Sequence, residues 1–437
     1  MEELITQQDD YQVFEQYESE VRSYCRNFHK VFHRASGSYL YDQNGSPYLD
    51  FLSCAGALNY GHNHHALKLA VFQYINEDGI QGALDLHTKA KKDFITAFQE
   101  NILAPRGLTY KLQFTSPTGT SVVESAIKLA RKVTQRSRIV AFTNGFHGMT
   151  GTSLSLTGNK NNRQPVMDTY VERLPFDLYF SGLDSLELFR TLLEDRSSGY
   201  ELPAAVIVET VQGEGGINVA SKEWLCKLRA LTLEKEILLI IDDVQAGCGR
   251  TGYFFSFEYA DIQPDMVCLS KSLSGYGYPL SLLLMESHLD IWSPGEDNGT
   301  FRGNTLAMVT ATAAIHNFWS DSRLSEKIMD DEVYIATHLG QIQKAFPYLI
   351  KSIKGRGMMY GLEFFDPGVA RKVARISFEN NLIVERCGSE DQVLKLLPPL
   401  TIERKDLDAG IQTLMNVIKE VSKVETKTVQ NIKNVIA

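Results

Sequence analysis

The sequence predicts an α/β protein: a mixed, mostly parallel sheet wrapped by helices, followed by a smaller α+β domain. Three observations carry this. Short apolar runs begin near residues 138, 204, 237, 266 and 280, and such runs suit strands buried on both faces of a sheet. Helical stretches separate them, the alternation of a doubly wound fold. Several of the runs end on polar groups: Glu209, the pair Asp242-Asp243, and Ser270-Lys271-Ser272. In open parallel sheets ligands bind at the carboxyl ends of the strands, so these side chains should share one crevice.

Composition narrows the class. The chain has 437 residues, enough for more than one domain, and its 43% hydrophobic and 22% charged residues are those of an ordinary soluble protein. A formal charge of −9 argues against a nucleic-acid partner. Six scattered cysteines without a CxxC pair suggest reduced thiols and a cytoplasmic location. The acidic start, MEELITQQDD, is unlike a signal peptide, and no apolar run is long enough to span a membrane. The expected organisation is an N-terminal segment (1–60) packing with the small domain, a large domain (61–310) and a small C-terminal domain (311–437).

From Tyr11 to Phe28 apolar residues recur at steps of three and four (Phe14, Tyr17, Val21, Tyr24, Phe28), predicting one amphipathic helix. Asn44-Gly45 between Ser38–Tyr41 and Tyr48–Phe51 predicts a hairpin with a type I′ turn. His62, His64 and His65 lack a further cluster at ligand spacing, so no metal is expected. Ser121 and Glu124 form a capping-box pattern, so a helix should open at Gly119-Thr120-Ser121 and present free N–H groups to a phosphate. Gly145, Gly148 and Gly151 do not have the spacing of a dinucleotide loop. The last residues, from Glu425, read as a solvated or frayed polar tail.

Asp242 and Lys271, each at a strand end, are the pair that pyridoxal phosphate chemistry requires. The lysine forms a Schiff base with the cofactor, and the carboxylate keeps the pyridine nitrogen protonated. The context resembles the class III aminotransferases: Asp242-Asp243-Val244-Gln245-Ala246-Gly247-Cys248-Gly249-Arg250-Thr251-Gly252, then Ser270-Lys271-Ser272. Similar matches are Gly61-His62-Asn63-His64, Glu124-Ser125-Ala126-Ile127-Lys128-Leu129-Ala130-Arg131, Gln212-Gly213-Glu214-Gly215 and Thr300-Phe301-Arg302-Gly303-Asn304.

The resemblance implies pyridoxal 5′-phosphate as cofactor, the type I fold of its transferases, and catalysis by Lys271 and Asp242. It implies that Gly119 and Thr120 seat the phosphate, that Phe146, beside His147, stacks on the ring, and that Gln245 meets the phenolic oxygen. It further implies that Thr300 reaches the phosphate of a neighbouring subunit in a homodimer with shared sites. Glu209 and Glu214 fall in the segment that carries the substrate pocket's glutamate. Met149 and Lys354 stand where relatives acting on ornithine or 4-aminobutyrate have arginines for substrate carboxylates. Lys354 is therefore expected to pair with Glu214, and Lys354, Arg302 and Arg356 are the candidate carboxylate anchors.

The stretches Glu18–Cys25, Leu58–Asn63, Ala104–Gly107 and Lys271–Gly277 resemble one subgroup, the diaminobutyrate–2-oxoglutarate aminotransferases. That implies amino-acid and 2-oxo-acid substrates, with the terminal amine of L-2,4-diaminobutyrate passing to 2-oxoglutarate. The alternatives are another class III enzyme using ornithine, lysine or 4-aminobutyrate, or an aminomutase of the same fold.

Overall fold

The computed structural model describes residues 11–163 and 170–436, with side chains described as far as Val424; residues 1–10 of the N-terminal segment lie outside. The predicted helix over 11–28 breaks. Residues 11–17 are helical, and helix resumes only at Tyr24–Asn27. Arg22 caps the break, since its guanidinium folds back to donate to the Ser19 carbonyl and joins the Glu18 N–H on the Phe14 carbonyl. The apolar stripe is consequently left outward, with Tyr17 77% and Val21 87% exposed.

Strands β1 (Phe32–Ser36), β2 (Tyr39–Asp42) and β3 (Pro47–Asp50) form an antiparallel meander. Its β2–β3 turn is not type I′, because Gly45 has positive φ and Asn44 does not. Asp42 closes the turn instead, accepting the N–H groups of Asn44 and Ser46 at 3.0 and 2.9 Å.

Next in the chain come β4 (Lys111–Phe114), β5 (Ile139–Phe142), β6 (Val171–Leu174), β7 (Ala205–Val208), the pair β8 (Val211–Gln212) and β9 (Asn218–Val219), β10 (Leu238–Asp242), β11 (Met266–Leu269) and β12 (Leu282–Met285). Seven of these form the main sheet, in the order β4–β12–β11–β10–β7–β5–β6. The pairs β11–β10, β10–β7, β7–β5 and β5–β6 are parallel, while β4–β12 and β12–β11 are antiparallel, so the sheet is mixed and mostly parallel. The five runs read from the sequence are its five inner strands. The two unforeseen strands, β4 and β6, are the edges. There Lys-Leu-Gln-Phe and Val-Glu-Arg-Leu dilute the apolar signal because one side of the strand meets solvent. Two-residue alternation divides the core. Val140 and Phe142 pack on one face of the sheet, Ile139 and Ala141 on the other.

The chain then supplies β13 (Ile350–Arg356), β14 (Met359–Phe364), β15 (Leu382–Ile383), β16 (Glu385–Cys387) and β17 (Val393–Leu396). Four of them make an antiparallel sheet, β13–β14–β17–β16, while β15 leaves to pair in parallel with β3. The final helix, Arg404–Ile436, continues through the stretch expected to be a frayed tail.

Arg250 ties these layers together. Its fully buried guanidinium donates to the carbonyls of Met358 and Pro398 and to Asn59 Oδ1, at 3.0, 2.6 and 2.6 Å. Burial pushes its pKa down to about 9. Arg250→Met should leave all three acceptors dry and lower stability by about 3 kcal/mol or more, read from denaturant unfolding.

Candidate active site

Asp242 is the last residue of β10 and 4% exposed. Its Oδ2 lies 2.8 Å from His147 Nδ1, and its Oδ1 accepts the Val244 N–H at 3.2 Å. Burial would drive the His147 imidazole toward its neutral form, but the bond to Asp242 and its charge outweigh burial and raise the pKa. The histidine therefore holds the carboxylate in place.

Lys271 follows β11 and has φ +45°, a left-handed conformation costly for a side chain with a Cβ. Neighbours on both sides hold it there. Ser270 Oγ bonds the Leu280 carbonyl, and Ser272 Oγ donates to the Gly56 carbonyl at 2.6 Å. Burial lowers the pKa of the Lys271 amine, and the cation of Lys395 adds to the shift against the pull of Glu214, Glu385 and Asp242. A lowered amine pKa is what a nucleophilic and proton-moving lysine needs.

Among the other predicted cofactor residues, Gln245 and Gly119 lie beside the strand end that carries Asp242. Gln245 has a buried amide oxygen without a partner, while its amide nitrogen donates to the Ala55 carbonyl and to Glu214 Oε1. The helix Gly119–Thr134 opens here, but its cap is Thr118, whose hydroxyl accepts the Ser121 N–H; the capping box expected from Ser121 does not form. Glu124 instead accepts the Ser153 N–H at 2.7 Å. The first-turn N–H groups of Gly119 and Thr120 have no acceptor within the helix, so they offer an anion seat. Phe146 is partly exposed and stands outside the buried core. These residues fit pyridoxal phosphate: a buried carboxylate that would meet the ring nitrogen, an amine, an orphaned amide oxygen that could accept a hydroxyl, and a helix start for the phosphate.

Several predicted residues have partners within the chain. Glu209 serves the framework, since it accepts the N–H groups of Phe146 and Gly213 at 2.8 and 3.3 Å. Burial pushes its pKa up to about 7. Lys354 does not pair with Glu214. It lies 3.0 Å from Glu363 and donates to Asn218, because β13 is the edge strand, two strands away from β17. Arg302 is held by Asp85 and the Asp297 carbonyl. Arg356 donates to the Ser256 carbonyl and stacks on Tyr259. Thr300 is exposed, on a loop that Asp297 pins to Ser125.

The partner of Glu214 is Lys395, at 2.6 Å, a residue to which sequence reasoning had assigned no role. Lys395 is fully buried in β17, directly across from Glu385 of β16, whose Oε2 lies 2.9 Å from its amine. Burial would raise Glu214, yet Lys395 and Lys271 hold its carboxyl at about 2. The signal was present in Val-Leu-Lys-Leu-Leu, since a cation in the middle of a buried strand must find carboxylates. Tyr24 also belongs here. Its phenol is pushed up by burial and by the charges of Glu385 and Glu214.

Comparison with known proteins agrees with this geometry. The family model described as Aminotransferase class-III matches residues 22–418. A diaminobutyrate–2-oxoglutarate transaminase of Vibrio cholerae is 52% identical over 410 residues, covering 93% of this chain and 100% of its own. One from Halalkalibacterium halodurans is 50% identical over 423 residues, covering 96% and 98%. Among solved structures, an S-selective transaminase from Arthrobacter has a TM-score of 0.85 at 20% identity, covering 95% and 98% of the two chains. The ornithine aminotransferase of Toxoplasma gondii has a TM-score of 0.80 at 24% identity, covering 95% and 96%. With a lysine and a buried carboxylate at neighbouring strand ends, and a family match over nearly the whole length, this chain belongs to the class-III aminotransferases.

Proposed function

We propose that this enzyme moves the terminal amino group of L-2,4-diaminobutyrate to 2-oxoglutarate, giving L-aspartate 4-semialdehyde and L-glutamate in two alternating half-reactions. The observation that carries this reading is the similarity of at least 50%, nearly end to end, to relatives bearing that activity in their names. Pyridoxal 5′-phosphate, the family's cofactor, supplies when bound a cationic ring that draws electron density from the reacting carbon. Asp242, steadied by His147, keeps the proton on the ring nitrogen. Gln245 meets the ring hydroxyl, and Phe146, its backbone fixed by Glu209, covers the ring face. Gly119 and Thr120 receive the phosphate at the helix start. Lys271 Nζ would hold the cofactor and give way to the donor amine; once free, it would take the proton from the reacting carbon and deliver it to the cofactor, so that the amino group stays behind.

Purified enzyme should form glutamate from 2-oxoglutarate with L-2,4-diaminobutyrate faster than with ornithine, lysine or 4-aminobutyrate. Brisk turnover of ornithine with none of diaminobutyrate would overturn the substrate, and turnover without an oxo acid would indicate an aminomutase.

The reading extends to a homodimer in which Thr300 serves the neighbouring subunit's phosphate. The exposed Thr300 loop and the outward apolar stripe at Phe14, Tyr17 and Val21 support it, and light scattering tests it. A cytoplasmic location is supported by six free cysteines; no described helix is long and apolar enough to cross a membrane. The division at residues 60 and 310 is supported by the main sheet falling within 111–285 and the second antiparallel sheet within 350–396.

A further inference from the structure

Asp242 is steadied by His147, and the backbone of His147 is in turn held by one threonine. Thr157 is fully buried, and its Oγ1 accepts the His147 N–H at 3.1 Å. The single proton of that hydroxyl reaches the Gly148 carbonyl at 3.0 Å, with the Ser153 carbonyl at 3.2 Å. The same hydroxyl thus takes up a donor just before the imidazole and supplies an acceptor just after it. The threonine's own backbone is fixed independently of the hydroxyl. Its N–H goes to the Leu154 carbonyl at 3.1 Å, and the Gly158 N–H goes to the Gly145 carbonyl at 2.7 Å. A Cβ on Gly158 would stand 2.9 Å from the Asn144 nitrogen, so a side chain there would push the two segments apart.

Thr157 also ends a strut. It follows the short helix Gly151–Leu156, whose first turn is fastened to the phosphate helix: Glu124 accepts the Ser153 N–H at 2.7 Å, and the hydroxyls of Ser153 and Thr120 share a hydrogen bond. A run of hydrogen bonds therefore leads from Thr120 and Glu124 through Ser153 and Thr157 to His147, and from its Nδ1 to Asp242 Oδ2 at 2.8 Å. Without the threonine hydroxyl the His147 N–H is buried and unpaired. The loop must then turn to find another acceptor, and it carries the imidazole with it.

We propose that Thr157 is a positioning residue for the amino transfer: its hydroxyl sets the backbone of His147 and, through the imidazole, aims Asp242 at the ring nitrogen. The inference rests on Asp242 keeping that nitrogen protonated, and it holds for whichever amine donor the enzyme takes.

The test compares the cofactor-loaded wild type with Thr157→Val, which keeps the shape and loses the hydroxyl, and Thr157→Ser, which loses only the methyl group. Thr157→Val should lower kcat by about tenfold or more with both KM values within about twofold, and Thr157→Ser should keep kcat within about threefold of wild type. A second readout does not involve turnover. A ring nitrogen less often protonated makes the nearby Lys271 nitrogen easier to protonate. The pH midpoint of the cofactor's visible band should therefore rise by about 0.5 pH units or more in the valine variant. Because Thr157 acts through Asp242, adding Thr157→Val to Asp242→Asn should cost less than about twofold further. If the valine variant folds poorly, Thr157→Cys, whose thiol is a weak acceptor, should show the same changes in smaller measure. Full kcat with an unmoved midpoint, an equal loss in both backgrounds, or a serine variant as poor as the valine one overturns the role of Thr157. Full turnover in Asp242→Asn overturns instead the reading on which it rests.

Discussion

Lys271→Ala should reduce glutamate formation by about 10⁴-fold or more, because one amine both holds the cofactor and moves the proton at the reacting carbon. The loss belongs to chemistry and not to folding. The left-handed backbone at this position is held by the serines on either side, and neither of their bonds involves the lysine side chain. Removing the amine also removes one of the two cations that keep Glu214 ionised, but Lys395 remains at 2.6 Å, so the pocket does not become an uncompensated acidic site. Far-ultraviolet circular dichroism should match wild type, and the visible band of bound cofactor should disappear. A variant that keeps its fold and retains turnover would remove Lys271 from the mechanism.

Asp242→Asn should lower kcat by about 10²- to 10³-fold, the usual cost of deleting one preorganised electrostatic group from a dry site. The amide oxygen can still meet His147, so the change isolates charge from shape. It should also alter how stability depends on pH. In wild type the folded-state pKa of His147 is raised above the ordinary value of about 6.5 by Asp242. That contribution is fully present below the unfolded value and is lost as pH rises through the raised folded one. In the variant burial remains and its counter-charge is gone, so protonating His147 destabilises the fold as pH falls. The gap in thermal midpoint between wild type and Asp242→Asn should therefore widen as the buffer is taken from alkaline toward about pH 5.5. Parallel curves would deny the coupling.

The fold was legible wherever a strand is dry on both sides, because its apolar run is then unbroken; β10 and β11 also displayed Asp242 and Lys271 at their ends. The edges β4 and β6 were not, since half-wet strands read like loops. Local pattern failed where a side chain had two possible uses. Arg22 could have pointed into solvent on a continuing helix, but it turns back onto the Phe14 carbonyl where the first helix stops. Ser121 and Glu124 satisfied a capping rule, yet Thr118 stood three residues earlier and took the role. Lys354 and Lys395 illustrate a different limit. The register sets them in one row across the same sheet, Lys354, Gly361, Lys395 and Glu385, and only the order of the strands decides which one reaches Glu214.

The reach of Arg250 has a consequence for biosynthesis. Its acceptors lie 191 residues upstream, at Asn59, and 148 downstream, at Pro398. While the ribosome is still short of Pro398, the arginine already made has no finished shelter, and any nascent intermediate must keep that cation wet. Closure of the molecule is thereby deferred until the chain has been made past Pro398, with loops of this length slowing the final step. A chain cut before Pro398 should therefore lack this closure and leave the layers around Arg250 open to water.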